Sequence, residues 1–460
     1  MSNSYSRRDA LKFLGLTAGT SVFAIPDLQK LLGEIPDLRH ISLARPVTAI
    51  TLGAGNRGNV YGNYAFDHSA EIKIVGVAEP IPIRNQRYAT KHSIKDENRF
   101  VTWEHVFQKP KFADAIIITT PDHLHYGPCM KALEMGYDVL LEKPMAPTEK
   151  ECRDIIAKTK KTGRIVGLCH VLRYAPYFIK LRELIHNGSI GELISIQHFE
   201  PIQHIHMAHS FVRGNWHNSK TSTPIILAKS CHDLDIMRWL VGKPSVRVAA
   251  FGNLKWFTKN NAPVGSTPRC NEGCAIESTC PYSAMKIYLR ERTYTYVFDL
   301  PEQKELQPDA IMNYLKTTNY GRCVYKMDND QCDHYVMSLL FENGITASFN
   351  MEAFTSYHGR RTRVMGSMGD LTGDMEQFIH TDFRTGKVTK WDSQSFEEGV
   401  YKKHGHGGGD ARLMKDWVQA VGQHDAGLLT STIDASIESH LMGFAAEKSR
   451  KTRKVVDVRI

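Results

Sequence analysis

Short apolar runs alternate with amphipathic stretches from residue 46 onward. Residues 47–52 form an apolar, β-branched run, and a helix-like stretch follows it directly. Further apolar runs of this kind cover residues 71–79, 114–121, 138–144 and 164–170. Continuous runs of this length are typical of strands that are buried on both faces of a parallel sheet. The repeated strand–helix units therefore predict a doubly wound α/β domain over residues 46–170.

The pattern changes after residue 170. Strand patterns begin at residue 190 and cover residues 334–351 and 360–374, and helix patterns cover residues 409–422 and 436–450. The turn signal Glu342-Asn343-Gly344 lies between two alternating stretches, as in a hairpin. These features predict an α+β domain with a large, mostly antiparallel sheet over residues 171–460. We expect this domain to bind the substrate and to support a homo-oligomer.

A glycine-rich turn follows the first apolar run. Gly53, Gly55 and Gly58 have the GxGxxG spacing, which places one glycine in a tight turn, one against a pyrophosphate and one against the next helix. Asn56 and Arg57 lie inside the turn, where the N–H groups of a helix N-terminus attract phosphate. The motif predicts a Rossmann dinucleotide-binding domain. The alternative is a doubly wound domain that binds no nucleotide, in which the glycines only allow the chain to turn from strand to helix.

An acidic residue ends the second apolar run. Glu79 follows Gly58 by 21 residues, close to the spacing of about 20 at which a carboxylate binds the adenine ribose. Since a carboxylate there repels a 2′-phosphate, we expect NAD to bind in preference to NADP. Arg84 is near enough in the sequence to weaken that preference.

Composition narrows the class of protein. With 460 residues, of which 42% are hydrophobic and 23% are charged, the chain is typical of a soluble globular protein of two domains. The net charge of +9 is modest, and basic residues do not interleave with aromatic ones in a stripe, so nucleic-acid binding is disfavoured. No segment after residue 45 has the length and apolarity of a membrane span.

Residues 1–45 are predicted to be an export signal and a linker. The sequence Ser-Arg-Arg-Asp-Ala-Leu-Lys-Phe-Leu-Gly at residues 6–15 resembles a twin-arginine signal, and a mild apolar stretch follows to Ile25. We therefore expect a periplasmic or otherwise exported protein. If the segment is instead an amphipathic helix, we expect a cytoplasmic one.

A third motif connects these features to a known family. Glu142-Lys143-Pro144 lies at the carboxyl end of a predicted strand. Together with the glycine turn, residues 120–125 and His232-Asp233-Leu234-Asp235, it resembles the Gfo/Idh/MocA oxidoreductases. The resemblance implies an NAD(P)-dependent enzyme that holds a sugar, glycoside or cyclitol between its two sheets. It also implies cofactor contacts from Thr120, Pro121, His125, Glu142 and Lys143, in addition to the glycine turn.

Lys143 and His232 are the expected catalytic pair. In the resembled family, the matching lysine and histidine face the substrate carbon beside the nicotinamide. Removal of a hydride from an alcohol needs a base for the hydroxyl proton, and the reverse reaction needs an acid. Many members carry an acid four residues before this histidine, where this chain has Ala228 followed by Lys229. Lys229 either adds a cation for a carboxylate or a developing oxyanion, or is structural.

Polar and aromatic residues around this pair are candidates for substrate contact. The segment 204–217 is rich in histidine and aromatic residues, which suit the apolar faces and hydroxyl rims of a sugar ring. Plain loop packing and a histidine metal site at His204, His206 and His209 are the alternatives. The candidate substrate contacts are His170, Arg173, Tyr174, His209, Arg213, Trp216, Lys229 and Asp235.

The nine cysteines are unevenly placed. Cys270, Cys274 and Cys280 have a CxxxCxxxxxC spacing, which Cys323 or Cys332 can complete. The spacing matches no standard metal pattern, so a four-thiolate metal site and, in an exported protein, a disulfide both stay open.

A glycine-rich loop at residues 404–410 precedes a predicted helix. It either closes over the substrate or serves as a flexible connection.

Two enzyme functions fit the sequence. The first is an NAD(P)-dependent oxidoreductase that acts on a sugar, glycoside or cyclitol. The second is a glycoside-cleaving or epimerising enzyme whose tightly bound NAD is recycled within each turnover, a variation known in the resembled family. Export favours the second function, because free NAD is scarce outside the cytoplasm. A non-catalytic sensor is disfavoured because Lys143 and His232 are both retained.

Overall fold

The computed structural model describes residues 43–393 and 405–458. Almost all of the predicted export segment and the first residue of the glycine-rich loop, His404, therefore lie outside the described residues. Within these two ranges, no helix combines the length and the apolarity that are needed to cross a membrane.

The first sheet is the predicted parallel sheet. Its strands are β1 Val47–Leu52, β2 Ile72–Ala78, β3 Arg99–Phe100, β4 Ala115–Ile118, β5 Asp138–Leu141 and β6 Val166–Leu168. They lie in the order β3-β2-β1-β4-β5-β6, and every pair is parallel. Ile116, Ile117 and Ile118 are fully buried, as expected for a strand with helices on both faces. The Rossmann prediction is confirmed.

Helices connect these strands. They are α1 Asn56–Asp67, α2 Pro82–Lys91, α3 Trp103–Val106, α4 Tyr126–Glu134 and α5 Glu149–Thr162. Local sequence sets the ends of α5: Thr148 and Glu151 form a reciprocal capping box, and Gly163 ends the helix with a φ of +62°. The crossovers leave the carboxyl ends of all strands at one edge of the sheet, where ligands bind in open α/β folds.

The second sheet is large and mostly antiparallel, as predicted. Its strands are β7 Leu193–Pro201, β8 Ser245–Asn253, β9 His334–Phe341, β10 Thr346–Glu352, β11 Arg361–Gly366, β12 Gly369–Gly373, β13 Gln377–Asp382, β14 Val388–Asp392 and β15 Val456–Asp457. Their order is β14-β13-β12-β11-β7-β10-β9-β8-β15, and β7–β10 is the one parallel pair among the described strands of this second sheet. The predicted hairpin joins β9 to β10, and Gly344 supplies the positive φ of its turn.

The helices after residue 170 pack on both sheets. They are α6 Pro176–His186, α7 His204–His206, α8 Ile225–Ala228, α9 Cys231–Val241, α10 Gln307–Thr317, α11 Gly409–Gln423 and α12 Ile433–Thr452, with π-helical segments at Met207–Arg213 and Met285–Arg290. Helix α11 returns to the first sheet, where Trp417 Nε1 donates to Val139 O at 3.1 Å. The predicted 170/171 boundary stays a prediction, but residues far beyond it complete the first core.

The region from residue 255 to 333 is an insertion with a small core of its own. Buried Ile287, Tyr288, Phe298, Ile311 and Leu315 form that core. The insertion also reaches the first domain, because Arg84 Nε donates to Asp299 Oδ1 at 2.8 Å.

Candidate active site

The glycine turn has the geometry of a pyrophosphate cradle. Gly53 has a φ of +95°, and a Cβ on Gly58 would lie 2.1 Å from the carbonyl oxygen of Gly53. These two glycines therefore let α1 pack closely against the turn. A Cβ on Gly55 would meet no atom within 4 Å, so this position is open. The first turn of α1 carries no acidic side chain, and its N–H groups and positive dipole end suit the NAD pyrophosphate.

Glu79 lies beside this turn at the end of β2. Its carboxylate accepts from Ala54 N at 2.7 Å and from Ile81 N at 3.0 Å. Each oxygen keeps a lone pair for a further donor. Glu79 therefore braces the turn and is placed to accept the ribose hydroxyls. Arg84, which we considered as a partner for a 2′-phosphate, is paired with Asp299 instead.

Glu79 should make the protein prefer NAD to NADP. The Glu79→Gln variant keeps the shape but removes the repulsion of a 2′-phosphate, so we expect the ratio of NADP to NAD dissociation constants to fall by about five- to tenfold. Calorimetric titration with both nucleotides measures the ratio. Glu71→Gln, at the opposite end of β2, is the matched control. Equal or tighter binding of NADP by the unmodified protein would refute the assignment.

A buried ion network holds the loop after β5. Glu142 accepts from Arg57 Nε at 2.5 Å and from Tyr61 Oη at 2.6 Å, and Arg57 also pairs with Asp410 at 2.7 Å. Burial alone would raise the pKa of Glu142, but the charges of Arg57 and Lys143 bring it below its ordinary value. The Arg57 and Glu142 side chains therefore help to position Lys143, and their predicted contacts with the cofactor stay predictions.

The end of β4 is tied to the same loop. Thr120 and Pro121 follow β4 at the ligand edge of the sheet. His125 is buried, and its ring nitrogens lie 2.9 Å from Thr120 O and 2.7 Å from Pro144 O. Both nitrogens thus contact backbone carbonyls and position this loop, and the cofactor contact by His125 stays a prediction.

Lys143 and His232 come together from the two domains. Lys143 Nζ donates to Ala228 O at 2.6 Å, four residues before His232 in the first turn of α9. His232 is 7% exposed, and its Nδ1 has no hydrogen-bond partner among the described residues. Burial, and then the charge of Lys143, lower the pKa of His232 well below its ordinary value. The ring is therefore neutral at pH 7 and can accept or share a proton.

Three of the predicted substrate contacts, His170, Arg173 and Asp235, form a buried group next to His232. Asp235 binds Arg173 through two hydrogen bonds, of 2.6 and 2.7 Å, and lies 2.7 Å from His170 Nδ1. All three side chains are at most 3% exposed. The ring of His170 lies edge-on to that of His232, with centroids 6.3 Å apart. Arg173 and Asp235 are thus a buried ion pair that orients His170, which places the first two in a supporting role, and substrate contact by His170 stays a prediction.

Lys229 lies in a charged wall beside the catalytic pair. Its Nζ is 3.4 Å from Glu200, which also pairs with Arg360 at 2.8 Å. Arg360 in turn binds Asp233 at 2.5 Å. Burial lowers the pKa of Lys229, against the opposing charge of Glu200. The substrate contact of Lys229 stays a prediction, and its neighbours Glu200 and Arg360 belong to no motif of the sequence.

Four other predicted substrate contacts, Tyr174, Arg213, His209 and Trp216, are instead bound to other residues of the protein. Tyr174 is fully buried, and its hydroxyl donates to Asp416 at 2.6 Å. Arg213 donates to the carbonyl oxygens of Arg322 and Tyr282. Tyr174 packs in the core of the first sheet and Arg213 in the second domain, so both side chains are held away from the site.

His209 and Trp216 are also corrected. His209 stacks on Tyr294 with centroids 4.4 Å apart, inside the aromatic core of the insertion. Trp216 Nε1 donates to buried Asp122 at 3.0 Å and so joins the two domains. The described residues also contain no group of three His, Cys, Asp or Glu arranged to hold a metal ion, which gives no support to a histidine site at residues 204–209.

The glycine-rich loop supplies residues that sequence analysis did not place in the site. The His406 ring lies 5.9 Å from that of His232, and its Nδ1 is 3.0 Å from Asp410. Asp410 is the partner of Arg57, so this loop reaches both the glycine turn and His232. The HGHGGGD sequence at residues 404–410 predicts a loop before a helix, but it does not predict that this loop contacts Arg57 and His232.

His209, which is buried in the aromatic core of the insertion, should make the free energy of unfolding depend on pH. Burial, and then the charge of Arg213, lower the pKa of His209 to about 3. Between that value and about 6.5, the unfolded chain binds a proton at this residue and the folded protein does not, so the free energy of unfolding falls as the pH falls. His209→Gln should reduce this slope by up to about 1.4 kcal/mol per pH unit. Urea denaturation across this range, with exposed His105→Gln as the control, measures the slope. An unchanged slope would contradict the prediction.

Two family models cover most of the chain. The model of the oxidoreductase family NAD-binding Rossmann fold, GFO_IDH_MocA, matches residues 48–170. The model of the oxidoreductase family C-terminal alpha/beta domain, GFO_IDH_MocA_C, matches residues 182–458. The two matches follow the two domains described above.

Individual relatives agree with the family models. The chain is 25% identical to "Putative oxidoreductase YteT" of Bacillus subtilis (strain 168), over 66% of this chain and 71% of that protein. It is 28% identical to scyllo-inositol 2-dehydrogenase (NAD(+)) of the same organism, over 45% of this chain and 58% of that enzyme. Among solved structures, an inositol dehydrogenase homolog from Azotobacter vinelandii, complexed with NADH and myo-inositol, has the same fold. That likeness has a TM-score of 0.63, with 15% identity, and covers 90% of this chain and 98% of the other.

The Rossmann sheet and the second, mostly antiparallel sheet agree with the two family models. The chain therefore belongs to the Gfo/Idh/MocA family and is an NAD-dependent oxidoreductase.

Proposed function

We propose that this protein transfers a hydride between NAD and a hydroxyl- or carbonyl-bearing carbon of a sugar, glycoside or cyclitol. The observation that carries the proposal is the meeting of Lys143 and His232, from different domains, at the ligand edge of the first sheet. The inositol dehydrogenases among the relatives support a substrate of this class. A cyclic polyol also suits the polar side chains of Lys143, His232 and Lys229, which can contact its hydroxyl groups.

The two residues of the pair have complementary tasks. NAD, when bound, supplies the hydride acceptor or donor, and the glycine turn with Glu79 holds it. Lys143, fixed by the carbonyl of Ala228, can donate a hydrogen bond to the substrate oxygen and stabilise negative charge there. His232 is neutral and has a free ring nitrogen, so it can take the hydroxyl proton in oxidation or return it in reduction.

A substrate panel tests the proposal. Inositols, aldoses, uronates and methyl glycosides are incubated with the full chain and NAD, and NADH formation is followed by its absorbance. We expect turnover with at least one cyclic polyol and none with open-chain alcohols of the same size. If no cyclic polyol in the panel reacts with NAD or NADH while NAD binds, the proposal is wrong.

The recycling alternative gives a different result. An enzyme of that kind retains NAD through purification, as native mass spectrometry detects, and cleaves or epimerises a glycoside without added cofactor. The sequence of residues 6–15 is the reason for testing this alternative, since export would separate the protein from free NAD. Export and the homo-oligomer stay predictions, which periplasmic fractionation and sedimentation analysis address.

Lys229 should favour an anionic substrate. Lys229 follows Ala228, which stands at the position where many family members have an acid. Its side chain lies in a charged group with Glu200 and Arg360. If Lys229 binds a carboxylate, Lys229→Met should lower kcat/KM for a uronate by about ten- to hundredfold, and leave the matching neutral sugar nearly unchanged. Exposed Lys316→Met is the control. An equal effect on both sugars would show that Lys229 is structural.

A further inference from the structure

Four cysteines meet at a small cavity in the insertion, far from any role in hydride transfer. Cys270, Cys274, Cys280 and Cys323 line it, and we call them the thiol cluster. The fifth cysteine of this region, Cys332, is not among the residues that line it. The cavity has room for about one water-sized sphere. A single ion fits such a space, whereas an organic ligand does not.

Backbone pairing brings the distant members of the cluster together. Arg269 and Arg322 form an antiparallel bridge, in which Cys270 N donates to Gly321 O at 2.9 Å and Cys323 N donates to Pro268 O at 2.8 Å. Cys270 and Cys323 are thus diagonal neighbours on the same face of a short ribbon. Cys270, Cys280 and Cys323 also lie close enough to interact electrostatically. The cluster is therefore built from two segments, residues 270–280 and the segment of Cys323, which the backbone bridge joins.

Diagonal placement suits a metal better than a disulfide. Diagonal neighbours across an antiparallel pair have Cα atoms about 7–8 Å apart, and a disulfide cannot join Cα atoms more than about 7 Å apart without backbone movement. A zinc ion with Zn–S distances of about 2.3 Å spans a wider gap. All four thiols are free in the structure.

A buried cation next to the cluster lacks a counter-charge. Arg213 is 1% exposed, and none of its hydrogen-bond partners among the described residues is a carboxylate. Its Nη2 contacts Cys270 Sγ at 3.7 Å, and its Nη1 has no hydrogen-bond partner in the described part of the chain. A buried unpaired charge is costly. Negative charge on the sulfur atoms would compensate it.

We propose that the thiol cluster binds one zinc ion as a structural site. Four thiols bind Zn²⁺ and release four protons, with no change of oxidation state, which leaves a net charge of −2 beside Arg213. The sulfur atoms do not yet form a coordination sphere, since no three candidate ligands are so arranged in the described residues. Binding therefore requires the cysteine side chains to rotate into the cavity. The loaded site would then fix the insertion, which contacts α2 through Arg84 and Asp299.

Metal analysis of the full chain tests the proposal. The protein is expressed with added zinc, purified without chelator and measured by plasma mass spectrometry, together with alkylation of its thiols under native conditions. We expect about one zinc per chain and protection of the four thiols, which a mercurial reagent reverses with release of the metal. Absence of metal with free alkylation, a reductant-sensitive disulfide, or iron with visible iron–sulfur absorbance would each overturn the zinc assignment.

Single substitutions locate the site. Cys274 is partly exposed, so Cys274→Ser should fold and yet lose at least nine-tenths of the zinc, with a lower melting temperature. Cys332→Ser, a buried cysteine outside the cavity, is the matched control and should keep its zinc. Full zinc content in both Cys274→Ser and Cys323→Ser would place the metal elsewhere. The outcome does not depend on the substrate, because the readout is metal content.

Discussion

Lys143→Met and His232→Ala should each lower turnover by about a hundredfold to ten-thousandfold, the range that general acid–base catalysis contributes. Met keeps the length of the lysine side chain but cannot donate to the substrate oxygen. Ala removes the neutral imidazole next to Lys143. NAD binding should survive both changes, because neither side chain holds the glycine turn. Steady-state kinetics with the substrate from the panel, and calorimetry with NAD, separate the two effects.

The double variant adds a sharper test. Residues that act as a unit give non-additive losses, so Lys143→Met combined with His232→Ala should cost less than the product of the single losses. Exposed Lys161→Met and His105→Ala are matched controls for the two substitutions. Turnover at the unmodified level in both single variants would end the assignment and direct attention to Lys229.

Gly55→Val should abolish NAD binding and leave the protein folded. The position has a φ of −76°, which any residue adopts, and no protein atom lies within 4 Å of a Cβ placed there. The valine side chain would instead occupy the space of the pyrophosphate. We expect the NAD dissociation constant to rise by at least about a hundredfold, measured by calorimetry.

Gly58→Ala provides the contrast. Its Cβ would collide with Gly53 O at 2.1 Å, so this variant should lose stability as well as affinity. Gly55→Val should melt within a few degrees of the unmodified protein. If Gly55→Val binds NAD normally, the cofactor does not pass over this turn.

The network of Arg57, Glu142 and Asp410 gives the site its rigidity. It joins the glycine turn, the loop after β5 and the start of α11, which come from three distant parts of the chain. Because Glu142 is adjacent to Lys143, ion pairs with residues outside this loop position Lys143. His406 follows from the same geometry, since Asp410 binds both it and Arg57.

The sequence by itself determined the elements whose signals are local. The unbroken isoleucine run of β4, the capping box of α5 and the hairpin at Gly344 are each encoded within a few residues. The same holds for the glycine turn, whose spacing is fixed by the strand–turn–helix geometry that it serves. Lys143 and His232 were found through short motifs at the ends of such elements.

Only the tertiary structure decided which polar residues face the cleft. Tyr174, His209 and Arg213 have side chains suited to a sugar, but long-range packing surrounds them with Asp416, Tyr294 and the carbonyl of Arg322. Glu200, Arg360 and His406 line or reach the site without any motif. Their neighbours in the site lie tens to hundreds of residues away in the sequence, so the spacing of residues within a short motif cannot predict them. Burial and hydrogen bonding, which separate a supporting side chain from a catalytic one, arise only when distant segments pack together.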